Sequence, residues 1–115
     1  MKFNLIICTL LIFVKSNSQN WNKYSDSIFL NYKENKIEKA KHFINLTEEE
    51  IKKSTLIIDT IYADFLYRKG IVYLENEDCI TNFNESLRIW NKSRKKNYYK
   101  IMKIYYFIGI HYFNK

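Results

Sequence analysis

This sequence predicts an all-α fold built from antiparallel helix pairs, and three observations carry that expectation. The 115 residues include no proline and only two glycines, so the turn clusters that a sheet protein of this size needs are missing. Apolar residues recur at three- and four-residue steps along most of the chain, the spacing of one helical face. The two glycines sit in matching surroundings. Gly70-Ile71-Val72-Tyr73-Leu74 is answered by Gly109-Ile110-His111-Tyr112-Phe113, and Leu66 and Tyr105 stand four residues before their glycines. Two copies of one apolar helix, 39 residues apart, indicate a repeat architecture.

The length allows one domain at most. A hydrophobic content of 47% is enough to bury a core and excludes disorder by composition. Residues 1–18 have the three parts of a secretory signal peptide: Lys2 at the start, an apolar run over 5–14, and the small residues of Ser16-Asn17-Ser18. Cleavage is expected between Ser18 and Gln19, so the chain is expected to be exported, secreted or periplasmic, with residues 19–115 as the folded domain. The apolar run is shorter than the ~20 residues of a stable membrane anchor. The net charge is +7, of which Lys2 and Lys15 contribute two, leaving +5 beyond the leader. That is a mild surplus, and a nucleic-acid partner is not expected. Cys79 is the one cysteine after the leader, which rules out an internal disulfide framework. Beside Ile80 and Phe83 it reads as a buried small residue.

The helices follow in order. Trp21, Tyr24, Ile28 and Tyr32, with Leu30 beside them, form one stripe over residues 21–32. Lys33-Glu34-Asn35 is a polar break. Ile37, Ala40, Ile44 and Thr47 or Ile51 place a second helix over 36–53. Thr47-Glu48-Glu49-Glu50 has the form of a capping box, but nothing upstream of it breaks the helix. Ser54-Thr55 can cap a third helix running to about Asn76, with Ile57, Ile58, Ile61, Phe65, Leu66, Ile71, Val72 and Leu74 as its apolar set. Asp78 can cap a fourth over 79–93, burying Cys79, Ile80, Phe83, Leu87 and Trp90. After a basic connector, a fifth runs over 98–113.

Helix pairs with these residues resemble tetratricopeptide repeats. Leu66, Gly70 and Tyr73 match the first helix of a central repeat, and Cys79, Phe83 and Ser86 match its second helix. Tyr105, Gly109 and Tyr112 match the first helix of a following repeat. Tyr24, Ile28, Tyr32, Ala40 and Ile44 resemble a preceding repeat without the glycine. The resemblance implies a short right-handed solenoid of about two helix pairs ending in an incomplete repeat. It implies packing roles for Leu66, Gly70, Tyr73, Cys79, Phe83, Tyr105, Gly109 and Tyr112. Small residues let helices approach, and large ones fill the groove left open.

Catalytic chemistry finds no support in the sequence. His42 and His111 are each without a second ligand one turn away, and no metal is expected. No glycine-rich phosphate loop or nucleophile elbow is present, and no cofactor is expected. Lys92-Ser93-Arg94-Lys95-Lys96 is the strongest charged cluster, and it reads as a solvated loop before it reads as an anion site. The expected function is non-catalytic binding of a protein or peptide, with Tyr62, Tyr67, Arg68, Tyr105 and Tyr106 as candidate anchors. The alternative is the N-terminal sensor or adaptor part of a larger signalling protein such as a sensor kinase. The fifth helix is apolar on most of its surface, so self-association through 98–113 is expected unless further chain covers it.

Overall fold

A computed structural model describes residues 21, 23–54 and 57–115. The expected leader and its cleavage point lie outside the described residues, as does Thr55. Among the described residues there are five helices and no strand, so the chain is all-α. They are α1 (residues 23–33, with Trp21 also helical), α2 (Ile37–Lys53), α3 (Asp59–Val72), α4 (Asp78–Lys92) and α5 (Tyr98–Phe113). The chain divides into two compact units, Met1–Ile58 and Asp59–Lys115.

In the first unit, Trp21, Ser25 and Ile28 are buried on one stripe, and α2 buries Ala40, Ile44 and Thr47 at helical spacing. The rings of Tyr24 and Phe43 lie 6.2 Å apart, which joins the far ends of two antiparallel helices. Leu30, expected beside the stripe, is exposed, and Ser25 takes the inner place instead. Leu30 lies two residues past Ile28, about 200° around the helix, and so falls off that stripe. The Thr47 hydroxyl donates to the Phe43 carbonyl at 2.7 Å, one turn back. That satisfies a buried polar group without capping anything, and α2 runs unbroken through it.

The break between α1 and α2 is a complete Schellman motif. Asn35 has φ 64°, the left-handed region. Its N–H donates to the Tyr32 carbonyl at 3.0 Å, and Lys36 N–H donates to the Asn31 carbonyl at 2.8 Å. Asparagine is the non-glycine residue best suited to that conformation. Here it reverses the chain without a glycine.

The second boundary departs from expectation. Ser54 closes α2 rather than opening α3: its N–H donates to the Ile51 carbonyl at 3.1 Å and its hydroxyl to the Glu50 carbonyl at 2.8 Å. Ile57 and Ile58 precede α3 and are exposed. Asp59 in the first turn supplies the negative charge a helix start favours. At its far end α3 stops at Val72, because residues 73–77 form tight turns closed by bonds such as Asn76 N–H to the Tyr73 carbonyl at 2.9 Å. Asp78 begins α4 from within, and Glu77 before it makes no side-chain cap. α5 has the expected bounds, and the Asn97 side chain caps it by accepting from Lys100 N–H at 3.1 Å.

Asn35→Val should lower stability by ~1–2 kcal/mol, because a β-branched side chain resists the left-handed backbone that the motif requires. Asn35→Gly should be neutral or slightly stabilising. Urea unfolding midpoints of the two variants against wild type check both.

Candidate functional site

In the second unit α4 packs against both α3 and α5, and α3 is the most deeply buried of the three. It buries Ala63, Phe65, Leu66, Tyr67, Gly70 and Ile71, residues that together face more than one direction, as a helix covered on several sides must. Its closest partner is α4, which returns antiparallel after the short turn. Phe83 is fully buried, with its ring directly over Gly70. A Cβ on residue 70 would stand 2.5 Å from the ring, inside van der Waals contact. One turn further along α4, the buried Ser86 hydroxyl donates to the Ala63 carbonyl at 2.7 Å. Leu66 and Cys79 are buried in the same interface, and Tyr73 is half-buried at its edge.

α5 packs against α4 and also runs parallel to α3. Three contacts fix this. Lys100 Nζ pairs with Asp64 Oδ1 at 2.7 Å, the Phe107 ring meets the Tyr67 ring edge-on at 5.9 Å, and His111 Nδ1 lies 2.6 Å from the Leu74 carbonyl oxygen. In each pair the α5 residue is 36 to 40 positions later, close to the spacing of the two glycines. The three contacts therefore set α5 and α3 in the same chain direction at close to that spacing.

At the turn end, the Leu74 carbonyl accepts from two groups. A carbonyl can only accept, so His111 Nδ1 carries the proton that reaches it. The Cys79 thiol donates to the same oxygen at 3.6 Å. Burial, with the nearby Glu77 carboxylate, pushes the Cys79 thiol up, so it stays neutral and serves as a packed small residue. The second nitrogen of His111, Nε2, is buried without a hydrogen-bond partner, 3.9 Å from Glu77 Oε2. Lys115 hydrogen-bonds Glu77 and holds its carboxyl below the usual carboxylate range. His42 is exposed, its ring edge against Phe43.

The outward face of α5 is different. Tyr105, Gly109 and Tyr112, expected to pack as their α3 counterparts do, are exposed, and nothing lies within 4 Å of a Cβ placed on Gly109. α5 is held instead by the stripe of Ile104, Phe107 and His111, which turns those three residues away from α3. Tyr106 is also exposed. Of the other candidate anchors, Tyr62 is half-buried against Phe65 and Arg68 is half-buried and engaged. Tyr67 is not available to a partner: it is buried between the rings of Phe83 and Phe107. The accessible aromatics collect on α5, where Tyr98, Met102 and Phe113 join them. The heptad spacing of 98, 102, 105, 109 and 112 is the sequence signal that would have found this face.

The basic connector borders an open hollow of ≈ 500 Å³ lined by Trp90, Ser93, Lys95, Lys96 and Tyr98 among others. Among the described residues no three His, Cys, Asp or Glu side chains gather as a metal site, and no helix is long and apolar enough to cross a membrane. No known protein family, curated protein or solved structure matches the chain.

The two glycines should respond oppositely to the same change. Gly70→Ala should destabilise by ~1–3 kcal/mol despite alanine's better helix propensity, because Phe83 is enclosed and cannot yield. Gly109→Ala should stabilise by ~0.5–1 kcal/mol, since its methyl meets nothing. Denaturant midpoints measure both. In native buffer Cys79 should resist alkylation and react fully only after unfolding, which mass spectrometry of the labelled chain reads directly.

Proposed function

We propose that this chain is an exported, non-catalytic helical-repeat module that binds a protein or peptide, with its helix pairs stacked as a short tetratricopeptide-like solenoid. The observation that carries this reading is the parallel placement of α5 beside α3 at the repeat interval, with the α5 face equivalent to the α4-binding face of α3 left open. A helix that repeats a docking pattern and leaves it exposed is a surface for another helix or chain. The anchors are Tyr105 and Tyr106, flanked by Phe113. The packed, unreactive state of Cys79 and the structural bond of His111 are consistent with a binding role rather than catalysis.

A second reading, the front part of a larger signalling protein, draws on the same open face, which a further repeat would cover. Reading the coding sequence past Lys115 for a continuing frame, a membrane span or a kinase domain decides that one.

Immobilised chain should capture a discrete partner from the exported fraction of its host. Tyr106→Ala with Phe113→Ala should lose that partner while keeping wild-type helicity by circular dichroism. Capture that survives both substitutions, or the absence of any partner that wild type holds and the variant does not, overturns the reading.

A further inference from the structure

We propose that the outer face of α5 docks, antiparallel, on α5 of a second copy of this chain, with Tyr105 of each copy seated on Gly109 of the other. The proposal rests on the reading of α5 as a helix-docking face and names what that face holds. Tyr98, Met102, Tyr105, Gly109 and Tyr112 recur at four- and three-residue steps, the spacing at which one helix lays a continuous line of contacts along another. All five positions are exposed, and the four large side chains each show more than half their surface. The residues 39 positions before the last four are Ala63, Leu66, Gly70 and Tyr73, of which Ala63 and Gly70 lie under α4. This chain therefore already uses the pattern to hold an antiparallel helix, with an aromatic ring on the glycine.

Size favours a second copy. In an antiparallel pair with its two-fold axis at Phe107, Tyr105 of one helix falls opposite Gly109 of the other, and Met102 falls opposite Tyr112. A large side chain meets the one bare backbone position at two symmetric points, as Phe83 meets Gly70. Such an interface is isologous and closes at a dimer.

Charge permits it. None of the five positions carries a charge, although the chain has a net charge of +7. The nearby lysines are engaged: Lys100 on Asp64, Lys103 over the Tyr99 ring at 5.5 Å, and Lys115 on Glu77. The line of five positions itself therefore opposes no like charges. The area is also adequate. Counting ~200 Å² for a fully exposed large side chain, the open parts of Met102, Tyr105, Tyr106, Tyr112 and Phe113 amount to roughly 600–650 Å² per copy, about three quarters of the ~800 Å² per partner of a standard interface.

Sedimentation equilibrium of the full chain from micromolar to millimolar concentration should show a monomer–dimer equilibrium. Gly109→Glu meets no atom of its own chain within 4 Å, so it should stay helical. It should weaken dimerisation by at least ~100-fold, because each copy would bury an unpaired carboxylate. Mixing Tyr105→Cys chains with Gly109→Cys chains under oxidation should give the mixed disulfide dimer, which fixes the antiparallel register and does not depend on how the glutamate variant folds. A wild-type chain that stays monomeric, a Gly109→Glu chain that dimerises as well as wild type, or assembly that continues past the dimer overturns the proposal. A monomeric wild type that binds an added peptide of the α4 sequence assigns the face to a different helix and also overturns it. Those failures leave the docking reading itself to the capture experiment, which does not depend on oligomeric state.

Discussion

The contact of the Phe83 ring with the bare backbone at Gly70 is the interaction on which the second unit depends. It brings α4 close enough to α3 for the Ser86 hydroxyl to reach the Ala63 carbonyl, a bond between groups that a side chain at residue 70 would hold apart. The same approach sets the turn over 73–77. Its Leu74 carbonyl then takes the Cys79 thiol from α4 and the His111 ring from α5. A steric allowance at one glycine thus propagates into the position of a third helix. The cost of a mid-helix glycine, about 1 kcal/mol against alanine, is small beside the burial of a phenylalanine.

The α5 helix shares a short glycine-centred pattern and a chain direction with α3, but not its environment. α3 is covered by α4 on one side and meets α5 on another, so its mixture of apolar faces is fully used. α5 carries more apolar residues than α3 and presents part of them to solvent. Its inner stripe, with the Lys100–Asp64 pair at one end and the His111–Leu74 bond at the other, is enough to hold it. The exposed aromatics are contiguous along one helix, unlike ordinary scattered surface hydrophobics.

Local chemistry made the helix interiors legible. The 3.6-residue stripe of Ala40, Ile44 and Thr47 and the bounds of α5 follow from periodicity and from a cap at Asn97, both of which act within a few residues. The boundaries at Ser54 and Asp78 were less so. Serine and aspartate suit either side of a helix end, and which end they serve depends on the neighbouring chain: Ser54 closes α2 through the Glu50 carbonyl, and Asp78 is drawn into α4. The left-handed Asn35 stood in a segment the sequence marked only as polar.

The sequence by itself determined that the chain is helical, that Gly70 is a packing position, and that residues 98–113 form one helix. Only the tertiary structure decided which copies of the repeated residues are reachable. Tyr67 and Tyr106 stand 39 positions apart, as do Gly70 and Gly109, yet the first of each pair is buried and the second exposed. Helical spacing states which way a residue points relative to its own helix. Burial depends on whether another helix stands there, and that neighbour is supplied by contacts distant in sequence.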